Sequence, residues 1–283
     1  MIHDARNRTL LLALAVSASV VACDRQPSGT PTSPPSAAPV SSTASLPSAQ
    51  PSASAVVPVT APSHEAASGA TTVDFNGDAI GAPSPAFEPV VGEWYVAEAG
   101  GQRGLRVDGS KWREGVPSAN LADQAKRLYG DKYAEFLDGV KAFAFFPLAV
   151  YKTAPSTPDF KIAVRFYPEA GRIDQGAGIA FDIAADGSYQ GVRANALEDN
   201  LLYFKVVRGK RSVLENIRNT PTPTHAWHTL SVDVKGKHLV VELDGQKRLE
   251  RDLPAPPATG ARVGLWSKAD SQVLMDDFSL SVR

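Results

Sequence analysis

The sequence predicts an all-β, two-sheet antiparallel sandwich on about 210 residues, a length that supports one sizeable core. Three observations carry this reading. The 11 Phe, 7 Tyr and 4 Trp of the 283-residue chain all lie at or after Phe75, so the first quarter cannot build a core. Beyond it, short runs alternate between apolar and polar residues. Gly, Pro, Asn and Asp interrupt those runs at the spacing of sandwich turns. The charge balance is even, 29 Lys+Arg against 30 Asp+Glu, so there is no global basic field and nucleic acid is excluded as a partner. The single cysteine cannot form an intramolecular disulfide, and no second thiol completes a zinc set.

Residues 1–22 read as a targeting segment. Arg6 and Arg8 form a basic start, and residues 9–20 form an apolar stretch well short of the ~20 residues that span a bilayer. The stretch ends in Val20-Val21-Ala22-Cys23, which resembles the bacterial lipobox. That resemblance implies lipidation at Cys23 and an envelope lipoprotein, anchored by two or more acyl chains. Asp24 resembles the inner-membrane retention signal of some enteric bacteria, and the choice between inner membrane, outer membrane and cell surface stays open. Between residues 27 and 70, 34 of 44 residues are Pro, Ser, Ala or Thr. Such a segment cannot bury enough apolar surface to offset ordering entropy, so residues 23–71 are expected to be a disordered tether spanning about 35–40 Å.

The domain is expected over 72–283. In Phe160-Lys161-Ile162-Ala163-Val164-Arg165-Phe166 the even positions are apolar. Residues 227–235 alternate in the same way. Residues 238–244 follow after a tight turn, and Asp244-Gly245 supplies the positive φ of a hairpin into 246–251. Further strands are expected near 93–98, 104–108, 142–151, 177–184, 188–196, 200–208, 212–217, 261–268 and 272–282. The one helical interruption is placed at 120–140, with Asn120 and Asp131 as N-caps and Gly130 between two short helices. It forms either a wall of a groove or a cover for a sheet edge.

Several stretches carry a more specific likeness. Val73-Asp74-Phe75-Asn76, Gly92-Glu93-Trp94-Tyr95-Val96, Arg262-Val263-Gly264-Leu265-Trp266-Ser267-Lys268-Ala269-Asp270 and Asp276-Asp277-Phe278 resemble the concanavalin A-like lectin/glucanase superfamily. With Asp174-Gln175-Gly176-Ala177-Gly178 and Tyr189-Gln190-Gly191-Val192-Arg193-Ala194-Asn195, the chain resembles the bacterial 3-keto-disaccharide hydrolase-type domain. The resemblance covers roughly 72–283. It implies a jelly roll whose first and last strands pair, and a role on saccharides.

A retaining glucanase of this superfamily would need E-x-D-x-x-E or E-x-D-x-E on one strand face, with two carboxylates at about 5 Å. The E-x-D at Glu242-Leu243-Asp244 has Gln246 and Lys247 where the third carboxylate would fall, and Glu250-Arg251-Asp252 likewise lacks one, with Pro254 and Ala255 there. The first reads as a strand end. His225-x-x-His228 has loose metal-ligand spacing but no helix to put both rings on one face.

The stronger constellation is polar. On 189–195, Val192 and Ala194 are expected to face the core, which places Tyr189, Arg193 and Asn195 together on the opposite, solvent face. On the following strand Leu202, Phe204 and Val206 are expected inward, with Tyr203 and Lys205 outward. Trp266 and Lys268 share a face by the same arithmetic. Side by side, these residues offer rings for sugar C–H faces and donors for hydroxyls, with Glu198 and Asp199 as candidate catalytic carboxylates. A solvated sheet face with cross-strand ion pairs has the same composition. Arg193 is accordingly expected in solvent, its removal costing the fold about 1 kcal/mol or less. No cofactor is required by this pattern. Asp74, Asp276 and Asp277 could gather oxygens around a structural Ca²⁺ if the terminal strands pair. Two functions stay open: a hydrolase or lyase on a modified disaccharide, and a non-catalytic lectin-like module. The partners expected are a saccharide or glycan and, through the lipid anchor, a membrane; the chain is expected to be a monomer.

Overall fold

A computed structural model of the chain describes residues 70–112 and 146–283. Cys23, the signal segment, residues 23–69 of the tether and the helical interruption at 120–140 lie outside the described residues. Fifteen strands are formed: β1 (Ala70–Val73), β2 (Phe87–Val91), β3 (Glu93–Ala99), β4 (Gln102–Asp108), β5 (Leu148–Tyr151), β6 (Phe160–Ala170), β7 (Gly176–Ile183), β8 (Tyr189–Asn195), β9 (Asn200–Val207), β10 (Lys210–Arg218), β11 (His228–Lys235), β12 (His238–Leu243), β13 (Gln246–Asp252), β14 (Arg262–Ser267) and β15 (Gln272–Val282). No helix occurs among the described residues.

The strands form two antiparallel sheets, the jelly-roll sandwich that the alternation predicts. One runs β13-β12-β11-β6-β15-β4-β3, with β1 also paired to β15; the other runs β10-β9-β8-β7-β14-β5-β2. First and last strands pair, Val73 opposite Phe278 and Ala70 opposite Ser281, so the sheet begins two residues inside the expected tether. Asp244 and Gly245 both take positive φ, 53° and 72°, and close the β12–β13 hairpin as their dipeptide predicts. The β2 strand is not among those expected, and it carries Pro89. Proline lacks a ladder donor and is tolerated here because β2 is an edge strand.

The inter-sheet core joins Ile162, Val164 and Phe166 of β6 to Ile179 and Phe181 of β7 and Val192 and Ala194 of β8. Phe278 meets Phe87 edge-on at 5.1 Å near the paired termini. A second buried cluster lies on the outer face of the seven-stranded sheet and includes Leu148, Tyr189, Leu202, Phe204 and Trp266. This sheet is therefore buried on both faces. That fact decides where the polar residues go.

Candidate functional site

The site begins with a tight loop between β6 and β7. Gly171 has φ 145°, and a Cβ there would fall 1.9 Å from the Asp174 carbonyl oxygen, so only glycine fits. The Asp270 carboxylate accepts the backbone N–H groups of Arg172 (2.8 Å), Ile173 (3.1 Å) and Asp174 (2.9 Å). This clamp aims the Asp174 side chain across the start of β7, where Gly176 leaves room: a Cβ on Gly176 would lie 2.8 Å from Asp174 Oδ1 and 2.9 Å from Arg193 Cδ.

Asp174 is the hub. Its Oδ1 accepts from Asn195 Nδ2 at 3.0 Å and Arg193 Nη1 at 3.2 Å, while Oδ2 accepts from Lys268 Nζ. Arg193 Nη2 donates to Glu198 Oε2 at 2.6 Å and Asn200 Oδ1 at 2.9 Å, and Asn200 Nδ2 returns a bond to Glu198 at 3.1 Å. Lys268 Nζ stands 4.0 Å from Glu198 Oε1. Asn195 Oδ1 receives the backbone N–H groups of Gln175 and Leu197, and Thr224 donates to Gln175 Oε1, so the surrounding loops are tied to the same centre. The base of the cluster is sealed and its rim is open. Asp174, Arg193 and Asn195 have no exposed side-chain surface, whereas Glu198 is 40% and Lys268 21% exposed.

Burial pushes the Asp174 carboxyl up from the usual carboxylate range, against the pull of Arg193 and Lys268. For Glu198 the balance reverses. Partial burial pushes it up, but the Arg193 hydrogen bond and the Arg193 and Lys268 charges outweigh that and hold it below its usual value. Two carboxylates joined to one guanidinium are thereby displaced in opposite directions.

The structure places Arg193, Asn195, Glu198 and Lys268 in one network and the other expected site residues elsewhere. Arg193 is not a solvent-facing side chain; it is among the largest fully buried residues. Trp266 and Tyr189 share its face but are no platform for a sugar ring. Trp266 is fully buried against Phe146 at 5.5 Å and Phe204 at 4.8 Å, and its Nε1 donates to the buried Tyr189 hydroxyl at 2.9 Å. Burial drives that phenol well above its ordinary value. The faces of β9 are the reverse of those expected. Tyr203 points between the sheets opposite Val192 and bonds Gln190, and Lys205 lies exposed on that same side, so neither belongs to the site. With both sheet faces apolar, the hydrophobic count of Leu202, Phe204 and Val206 does not identify the core side. Asp199 is a turn residue: it is exposed, has φ 46°, and accepts the Thr220 N–H on its backbone carbonyl. The sequence reasoning missed Asp174 as a site residue, although it stands in the Asp174–Gly178 stretch.

The three aspartates expected at calcium each have a partner within the chain. Asp277 pairs with Arg165 Nη1 at 2.9 Å, Asp276 Oδ1 accepts the Asp277 N–H, and Asp74 Oδ1 accepts the Asn76 N–H. Among the described residues no group of three or more His, Cys, Asp or Glu could hold a metal ion. His225 and His228 separate. His225 lies exposed beside Tyr167, and His228 is buried between Asp244 Oδ2 (2.9 Å) and the Pro223 carbonyl (3.1 Å).

No known family model matches the chain, and no curated protein does. Among solved structures it is similar to the carbohydrate-binding module CBM66 from Bacillus subtilis, at 15% identity and TM-score 0.48 over 69% of this chain and 95% of that one. It is similar to the alginate lyase Aly36B, at 8% identity and TM-score 0.46 over 75% and 96%. It is similar to a Bacillus licheniformis β-glucanase, at 11% identity and TM-score 0.38 over 48% and 71%. Likeness at this level goes no further than sandwich architecture; what the chain does is argued from its own site.

Proposed function

We propose that the domain is a saccharide-binding jelly roll, held at a bacterial envelope by lipid on Cys23 and extended from the membrane by the Pro/Ser/Ala/Thr-rich tether. One observation carries the reading. A fully buried Arg193–Asp174 pair fixes an acceptor, Glu198, and a donor, Lys268, side by side at a part-exposed rim. Neighbouring sugar hydroxyls each donate and accept, and charge-assisted hydrogen bonds to fixed partners are the strong ones. Holding the two charges in place beforehand reduces the ordering cost of binding.

Cleavage of a 3-keto-disaccharide is the second reading, favoured by the opposite displacement of Asp174 and Glu198, a pattern that separates acid from base. Binding is preferred because Asp174, the carboxyl whose proton is favoured, has no exposed surface from which to deliver it. A glycan screen on the purified full chain should return saccharide ligands. Titration calorimetry should then show Glu198→Gln and Lys268→Met weakening the best ligand by about ten- to a hundredfold. Unchanged affinity in both variants would refute the site. Product analysis on 3-keto-disaccharides separates the two readings: turnover lost in Glu198→Gln supports cleavage.

A further inference from the structure

We infer that the saccharide taken by this site is anionic, its carboxylate or other oxyanion group recognised by the half-buried Arg211 of β10, with the sealed Arg193 guanidinium contributing positive charge from behind it. The inference rests on the saccharide reading above and names the ligand's charge.

The first observation is an unmet donor. Arg193 is completely buried, and its Nη1 and Nη2 are engaged by Asp174, Glu198 and Asn200, yet its Nε has no hydrogen-bond partner. A buried donor left unpaired costs roughly 1–3 kcal/mol, more on a charged group, and native structures leave few of them.

The second observation lies on the same sheet face. Arg211 is opposite Val206, which is opposite Tyr189, so register places Arg211 on the face that carries Arg193. Its guanidinium lies over Phe146 at 5.0 Å and Phe204 at 5.7 Å, and its Nη1 is also buried without a partner. Among the described residues it has no carboxylate in ion-pair contact. Desolvation lowers its pKa, and the Arg193 charge lowers it further, so the two guanidinium groups feel each other across the face. Sequence reading missed Arg211 because the strand was expected to begin at 212.

The third observation is charge. Among the described residues Arg193 and Lys268 are each ion-paired to Asp174 and close to Glu198, while Asp270 is engaged by three backbone amides and pairs with none of the three cations. Arg211 is the one of the three without a carboxylate in contact, on the face where two donors are unmet. A guanidinium presents a planar fork that matches an oxyanion. A neutral hydroxyl would satisfy a donor but leave the charge uncompensated.

Calorimetry with the full chain tests this using uronic-acid, sulfated and neutral oligosaccharides of equal length. An acidic oligomer is expected to bind at least tenfold tighter than the neutral one. Arg211→Gln should erase that preference, and Arg211→Lys should restore only part of it, because the charge returns without the fork. Tighter binding of the uronate than of the sulfated oligomer assigns a carboxylate, and the reverse assigns a sulfate ester; both support the inference. Equal affinity for acidic and neutral oligomers, or a preference that survives Arg211→Gln, overturns it and leaves the saccharide reading standing. Failure of every oligomer to bind overturns both.

Discussion

On the eight-stranded sheet, β6 is buried at every second residue, and its outward side chains, among them Lys161, Arg165 and Glu169, sit in ion pairs with Glu242, Asp277 and Arg106 at a half-exposed surface. On the seven-stranded sheet, β8 and the first five residues of β9 are buried almost without a break, and the outward face holds Trp266, Phe204 and Tyr189 around one charged cluster. Both sheets place arginines outward. Water surrounds one set and is excluded from the other. In the interior an unpaired charge costs several kcal/mol, so position rather than pairing geometry sets what each arginine contributes.

The comparison is broken or kept by a pair of substitutions. Arg193→Ala would remove one of the two cations that hold the buried Asp174 carboxyl, leave a large void under the Glu198 rim, and should cost about 3–5 kcal/mol. Arg165→Ala removes a pair whose side chains are 33% and 43% exposed, together with a contact over Trp227 at 4.6 Å, and should cost about 1 kcal/mol or less. Urea unfolding of both variants measures the gap. Similar losses would mean that the two faces are equally wet and that the cluster is an ordinary surface network.

The same contrast explains what the sequence made legible. Where one face meets water, period two reads true: the alternation of residues 160–166 and of β11 placed their inward residues correctly, and Asp244-Gly245 located a turn by its demand for positive φ. Where both faces are apolar, period two loses its meaning. The β9 sequence Asn-Leu-Leu-Tyr-Phe-Lys-Val-Val fits either facing, and the structure chose the one with Tyr203 inward. The site was half visible for a related reason. Arg193, Asn195 and Glu198 lie within six residues of one another, so their convergence follows from a single strand and its turn. Asp174 arrives from the β6–β7 loop, 19 residues before Arg193, and Arg211 from β10, 18 residues after it and two strands away, so only the fold of the sheet brings them near. The aspartates of the terminal strands show the same limit: pairing of those strands was right, but the Arg165 and backbone partners that engage Asp276 and Asp277 are not readable from spacing.

A smaller effect probes how tightly the dry face is packed. Gly191 sits beneath Phe204, and a Cβ there would lie 2.5 Å from that ring's Cζ. Gly191→Ala should therefore cost about 1–3 kcal/mol, the range for overpacking a filled core. At Gly77 an added Cβ meets nothing within 4 Å, so Gly77→Ala should stay within about 0.5 kcal/mol. Thermal unfolding of the two variants reads the difference. A neutral Gly191→Ala would show that the Phe204 ring has room to move, and with it Trp266.

The smallest expected effect concerns an exception on the wet sheet. Asp276 of β15 is only 3% exposed, although its register partner is the outward Arg165. Burial, opposed by the Asp277 N–H and reinforced by the Asp277 charge, pushes its carboxyl up to about 6. The folded state thus prefers the protonated form more than the unfolded chain does. Stability from this group is complete below about pH 4 and is lost as pH rises through 6. Asp276→Asn keeps an oxygen to accept the Asp277 N–H and cannot ionise, so it should stabilise the domain at pH 7 by about 1 kcal/mol, or roughly 2–4 °C in Tm. The decisive quantity is the difference in Tm between variant and parent measured from pH 4 to pH 8, because titrations common to both proteins cancel. That difference should be near its minimum at pH 4 and grow through pH 6. A constant difference across the range would place the Asp276 carboxylate in water, and would make the eight-stranded face uniformly wet.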